Sequence, residues 1–203
     1  MTTIRAIISI LTTLIIVSQT TFGQSFKFEN WKTSEIKESP IIGGKTKQIH
    51  KLDGEDSTFT TSNVVANVMG IIKTSNQVFP EERGDGYCAR MEVMEEEVKV
   101  LGMINVRVIA QGSVITGKLY EPIKDTKSPY SKLDCGIPFT EKPQGISFDY
   151  KAEVGHQKVK GTGLSAIKEL GIPDYADIMV LLQNRWEDSD GNIYAKRVGT
   201  GYM

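Results

Sequence analysis

The stretch CGIPFTEKPQGISFDYKA, residues 135–152, constrains this 203-residue chain more than any other. In its second half Ile146, Phe148, Tyr150 and Ala152 alternate with Ser147, Asp149 and Lys151. A period of two puts the apolar side chains on one side of an extended chain and predicts a strand with that face buried. The first half is a shaped loop. Pro138 and Pro143 fix φ while Gly136 and Gly145 permit tight turns, so Phe139 belongs to a stiff segment. A buried strand needs others to cover it, and short apolar runs between turn residues recur along most of the chain.

Taken in order, FKFENW (residues 26–31) reads as a short first strand with alternating aromatics, followed by a polar loop through Ile42, Gly43 and Gly44. Residues 45–52 alternate weakly, and Asp53, Gly54, Glu55 and Asp56 mark a turn. FTTSN leads into a β-branched run over 64–72, and a loop holding Pro80, Glu81, Glu82, Gly84, Asp85 and Gly86 follows. Strands are expected over 87–94 and 98–110, with Glu95, Glu96 and Glu97 as a solvated turn between them and Gly102 as an interruption of the second. GSVITGKLY continues the β pattern, and residues 121–133 form a polar connection with two prolines.

Residues 164–170 predict one or two helical turns stopped at Gly171. IMVLL, residues 178–182, reads as a strand buried on both faces in mid-sheet. DSDGN, residues 188–192, turns the chain back into 193–198 as a hairpin. The same five residues resemble the start of a calcium loop, but Gly199 stands where the bidentate Glu of such a loop belongs, which favours the turn. Many short strands and almost no helical period predict an all-β antiparallel sandwich of two sheets, with at most one short helix near 164–170. After the return strand only Gly199, Thr200, Gly201, Tyr202 and Met203 follow, with no further hydrophobic strand to cover an edge, so the domain over 24–203 is expected to be cut short at its C-terminus.

Residues 1–23 have the pattern of a signal peptide: Arg5, an apolar run over 6–17 broken by Ser9, Thr12 and Thr13, then small Thr21 and Gly23 ahead of the cut. That run is well short of the about 20 apolar residues a membrane span requires, and no later segment is long enough. Export to the periplasm, cell surface or exterior is therefore expected, with no membrane span in the mature chain. Removing the leader takes one charge, Arg5, from the 24 Lys and Arg, and with 25 Asp and Glu the mature chain carries net −2. Its basic residues are scattered among acids, whereas nucleic-acid binding needs a concentrated positive face. Nucleic acid is excluded as a partner on that ground.

An oxidising exterior permits a disulfide between the two cysteines, Cys88 and Cys135, worth about 4 kcal/mol for so long a loop. Against it, Cys88 alternates with Arg90 and Glu92, while Tyr87, Ala89, Met91 and Val93 make the more apolar face. These cysteines and the distant His50 and His156 have no metal-ligand spacing, so neither metal nor cofactor is expected.

Several runs taken together resemble the PCMD family, a carbohydrate-metabolism domain of exported bacterial proteins. They are FENW, TSN (61–63), GYCARME (86–92), ITGKLY (115–120), GIPFTEKPQGISFDYKA (136–152) and DYADIMVLL (174–182) before Arg197, Val198, Gly199 and Thr200. The resemblance implies a jelly-roll-like sandwich similar to carbohydrate-binding modules, and a role in glycan use. Cys88 and Cys135 are not part of that motif.

Sugar binding needs a flat aromatic face against the CH side of a pyranose, with amides, carboxylates or guanidinium groups for the hydroxyls. Trp31, Tyr87 and Trp186 are the aromatics nearest loops or strand ends, with Asn63, Asp85 and Arg90 as polar partners; Phe139 and Tyr150 are assigned to packing. A Trp in a sandwich is more often core than platform. A glycoside hydrolase would instead require two carboxylates, about 5 Å apart for retention or about 6.5–9.5 Å for inversion, drawn from Glu81, Glu82, Asp85 and Glu92. A third reading is a structural module contacting other envelope proteins, marked by a contiguous exposed apolar patch.

Overall fold

The structure, a computed structural model, describes residues 25–100, 104–124, 129–161 and 167–203. In chain order the strands are β1 (Trp31–Lys37), β2 (Thr46–Leu52), β3 (Phe59–Thr61), β4 (Val64–Val68), β5 (Ile71–Ser75), β6 (Val78–Arg83), β7 (Gly86–Met91) and β8 (Val93–Val100). They continue with β9 (Ile104–Gln111), β10 (Val114–Leu119), β11 (Leu133–Cys135), β12 (Val159–Lys160), β13 (Lys168–Glu169), β14 (Met179–Glu187) and β15 (Ile193–Tyr202). Short 3₁₀ turns occur at Pro40–Ile42, Gly54–Thr58 and Pro129–Lys132, and no described helix reaches 7 residues. The all-β class is as expected. No described helix is long and apolar enough to cross a membrane.

The sheets are small and antiparallel. β1 pairs with β2, β4 with β5, β6 with β7, β8 with β9, β12 with β13 and β14 with β15, while β10 lies between β3 and β11. Local backbone chemistry explains where the ribbons fold back. Met69 and Gly70 both have left-handed φ, 51° and 81°, the signature of a two-residue turn whose twist matches its strands. The run over 64–72 is therefore a hairpin and not one strand. Gly84, at φ 63°, does the same beside Asp85, so Pro80, Glu81 and Glu82 lie in β6 and not in a loop.

Hydrogen bonds between ribbons hold the described residues of 26–136 together. Ser39 exchanges bonds with Ile72, donating its amide to the carbonyl at 3.0 Å and accepting the Ile72 amide on its hydroxyl at 2.8 Å. The Glu92 amide reaches the Gln77 carbonyl at 2.8 Å and the Gly112 amide reaches the Glu92 carbonyl at 2.7 Å. A Cβ at position 112 would lie 2.5 Å from the Gln77 carbonyl oxygen, so only glycine fits this crossing. Ile49, Leu52 and Val78 are the buried apolar residues among those described, and they share the interior with Glu38, Asp56, Thr61, Asn63, Thr74 and Gln77.

Several expectations need correction. The first strand starts at Trp31, because Phe28 has φ 59° and the Asp56 carboxylate accepts bonds from the Phe28 and Asn30 amides at 3.3 and 3.0 Å, which curls residues 28–30 inward. Phe26 and Phe28 pack edge-on against Phe59, with centroids 4.7 and 5.1 Å apart. Residues 98–110 are not one strand: β8 and β9 form a hairpin whose connection, with Gly102, lies outside the described residues. Glu95, Glu96 and Glu97 lie within β8, opposite Ile109, Val108 and Arg107. Arg107 stands 3.5 Å from Glu95 and 3.0 Å from Glu97, which removes the repulsion that would have favoured a turn.

Further along, residues 164–166 of the expected helix lie outside the described residues, and Lys168–Glu169 is strand β13. β14 has one neighbour and not two, so IMVLL is not a central buried strand. Residues 142–155, expected to hold the organising strand, are in no strand, and Ile146, Phe148 and Tyr150 are exposed, because no described strand pairs with them. Tyr87, Met91 and Val93, expected on the more apolar face, are exposed too. The turn at 188–192 forms as expected. The leader, residues 1–23, lies outside the described residues.

Candidate functional site

Asn63 is fully buried and satisfied. Its Oδ1 accepts the Gln77 and Val78 amides, both at 2.9 Å, and its Nδ2 donates to the His50 and Val78 carbonyls at 2.8 and 2.6 Å. An amide offers four such bonds, so none remains for a ligand. Asn63 is a clamp that ties the end of β2 to the start of β6. Trp31, opposite Leu52, donates its indole Nε1 to the Phe28 carbonyl at 2.7 Å and is half-buried in the same packed end.

Asp85, Tyr87 and Arg90 share the β6–β7 hairpin but do not converge. Asp85 lies at the tip, and Tyr87 and Arg90 stand on opposite faces, since they are three residues apart on one strand. The Arg90 guanidinium sits 4.8 Å over the Phe79 ring, bonds Glu81 at 2.8 Å and pairs with Glu92. Two of the four carboxylates considered for hydrolysis are thus taken by one cation. Cys88 lies opposite Glu81 and Cys135 opposite Gly117, in different sheets, and both are free thiols.

A charged cluster fills a hollow of about 120 Å³ lined by Glu38, Ile42, Lys45, Lys47, Lys73, Glu97 and Val98. Burial pushes the Glu38 carboxyl up, but the Thr74 amide at 2.9 Å and the ammonium groups of Lys73 and Lys47, each 3.6 Å away, leave it below its ordinary value. Burial lowers Lys73, and the Glu96 carboxylate at 3.1 Å more than restores it. Lys47 is held down by burial and by Lys73 beside it. Burial also lowers His50, whose Nδ1 is 2.9 Å from the Thr33 hydroxyl. A second groove, about 340 Å³, is lined by Ile36, Val65, Asn67, Ile72, Glu121 and Pro122. Neither hollow is lined by an aromatic ring.

Among the described residues, a stacked pair of exposed aromatic rings lies on the β14–β15 hairpin. Trp186 lies directly opposite Tyr194, their rings stacked 5.6 Å apart at 16°, with 51 % and 45 % of the residues exposed. Their rigidity comes from the turn beside them. Asp188 Oδ1 accepts the Asp190 and Asn192 amides at 3.0 and 2.9 Å, and Oδ2 accepts Asn192 Nδ2 at 2.9 Å and the Tyr194 hydroxyl at 3.0 Å. The Asn192 side chain and these other donors hold the Asp188 carboxyl below its usual range.

The alternation of the ribbon puts the exposed pair Asn184 and Lys196 two residues further along the same face. Arg185 points the other way, bonding Asp134 at 3.1 Å and the Cys135 carbonyl at 3.3 Å, which fastens the hairpin to β11. Chemically this is an exposed shelf of two stacked rings with a neighbouring amide and ammonium. Of the residues singled out from sequence, Trp186 belongs to it. Tyr194, Asn184 and Lys196 were missed, though the signal existed: a DSDGN turn pairing Glu187 with Ile193 must set Trp186 against Tyr194. Comparison with family models, curated proteins and solved structures finds no match to this chain.

Proposed function

We propose that the chain is an exported, carbohydrate-associated β domain that binds glycans without catalysis, at the shelf formed by Trp186 and Tyr194. The observation that carries this reading is the exposed, parallel pair of rings, held in place by a turn whose carboxylate is bonded to Tyr194. Pyranose rings present a CH face that stacks on such a surface, and Asn184 and Lys196 supply hydrogen bonds to hydroxyls. A shelf open to water buries little of its ligand, so recognition is reversible, with affinity on the order of micromolar to millimolar. The jelly-roll-like sandwich and the signal peptide belong to the same proposal: the resemblance to the PCMD family and the leader-like residues 1–23 support them.

A glycan array probed with the mature chain, followed by electrophoresis in polysaccharide gels, tests the reading. At least one glycan should retard the protein, Trp186→Ala and Tyr194→Ala should each weaken retardation by roughly tenfold, and no reducing ends should appear. Turnover would transfer the case to a glycoside hydrolase. Equal binding by wild type and Trp186→Ala, or none by either, would sink the shelf.

A second reading, a module contacting other envelope proteins, is favoured by a different observation: Ile146, Phe148, Tyr150 and Val154 lie exposed along one segment.

A further inference from the structure

Residues 142–155 run without turn, bend or helix, and no backbone group among them bonds to another described residue. Their even-numbered side chains are apolar from Ile146 to Val154, and Ile146, Phe148, Tyr150 and Val154 are 58 %, 43 %, 60 % and 51 % exposed. The sequence thus has the alternation of a strand covered on one face, and the structure shows backbone and face both uncovered. A row of free amides and carbonyls beside an apolar stripe is a template for pairing with another strand.

We propose that residues 146–154 are a self-association strand, pairing antiparallel with the same residues of a second copy of this chain about a two-fold axis at Tyr150. Charge and register together point to this occupant. Only one antiparallel register maps all five apolar positions onto one another: Ile146 meets Val154, Phe148 meets Ala152, and Tyr150 meets its own counterpart. On the opposite face that same register sets Asp149 against Lys151 twice, by symmetry. Centring the pair on Asp149 or on Lys151 would place like charges directly opposite, and a parallel in-register pair would do so at every charged position, which is unfavourable across strands. Gly145 and Gly155, at the two ends, meet each other and bring no side chain into the way. In the isolated chain Lys151 has only an ion pair with Glu153 at 3.5 Å, both side chains being almost fully exposed. The proposal is independent of the glycan reading.

A nine-residue ribbon is small for an interface, so the dimer is weak, with a dissociation constant on the order of 100 µM. Sedimentation equilibrium on the full chain should show a reversible monomer and dimer. Asp149→Lys and Lys151→Asp should each weaken it roughly tenfold, and the double exchange should restore it to within about twofold. In a Cys88→Ser, Cys135→Ser background, Tyr150→Cys should form a disulfide-linked dimer on oxidation, because residues directly opposite lie about 5 Å apart at Cβ. Phe148→Cys should not, since its counterpart lies four residues away, about 13 Å. The side chains substituted within residues 146–154 are exposed, so urea midpoints should stay put relative to the parent chain, which for the cysteine variants is the Cys88→Ser, Cys135→Ser background with its half-buried Cys88 position, and confirm that every variant folds. A chain that is monomeric up to about 1 mM, a dimer indifferent to the charge exchange, or cross-linking equal at positions 148 and 150 would each overturn the proposal.

Discussion

Around Asn63 the chain closes on itself, with one side chain bonding backbone groups from two other segments, whereas around Phe148 the backbone of residues 142–155 bonds to no other described residue. The contrast extends to the regions around them. Residues 26–136 are tied ribbon to ribbon by buried polar groups, among them Glu38, Asp56, Asn63 and Gln77. Among the described residues of 137–203, β12–β13 and β14–β15 are separate two-stranded ribbons, with Met179, Trp186, Tyr194 and Tyr202 turned outward. With few large side chains inside, satisfied hydrogen bonds specify the first region, since a buried polar group left unpaired costs more than a bond contributes. The second region keeps its apolar surface available, which is where both recognition proposals fall.

The largest expected effect breaks the clamp. Asn63→Ala leaves two amides and two carbonyl bonds unmade in a dry interior and should cost about 3–5 kcal/mol in urea unfolding, enough to threaten folding. Next, Gly112→Ala should cost about 2 kcal/mol, because its Cβ would press on the Gln77 carbonyl where two ribbons cross. By contrast, Trp186→Ala should move the same midpoint by less than about 0.5 kcal/mol, since that ring is half exposed and stabilises only its own hairpin.

Acid sharpens the comparison from another side. His50 and Glu38 are both held below their ordinary values, 6.5 and 4.5, so the unfolded chain binds more protons as pH falls through each. Stability should therefore decline on acidification, beginning near pH 6.5 through His50 and steepening below pH 4.5 as Glu38 is protonated and its bonds to Thr74 and the lysines weaken. Melting temperatures between pH 7 and pH 3 check this, and Glu38→Gln should flatten the lower part of the curve. Both groups belong to the clamped region, whereas the spectroscopic signature of Trp186 should change separately at lower pH, as the Asp188 carboxyl, also held below its ordinary value, is protonated and releases Tyr194.

Strand content was legible from residue alternation, and so was the hairpin at 188–192, because a turn of Asp, Gly and Asn acts locally. Pairing was less legible. Met69 sits at positive φ with its side chain in water, a conformation uncommon for that residue, so the β4–β5 turn carried no composition signal. Three consecutive glutamates read as a turn until Arg107, ten or more residues away, is known to stand between two of them. Asn63 was noticed as a polar residue near a loop, but its role as a clamp depends on bonds to residues 13 to 15 positions distant. The alternation at 146–154 states that a face wants covering and says nothing about which chain covers it.

Hydrogen exchange read residue by residue on the dilute monomer tests the division between the two regions most directly. The amides of Gln77, Val78 and Glu92, which bond across ribbons, should exchange only on global opening, while those of residues 146–154 should exchange within the fastest class and slow as concentration rises. Concentration-independent protection of residues 146–154 matching that of Val78 would contradict the account.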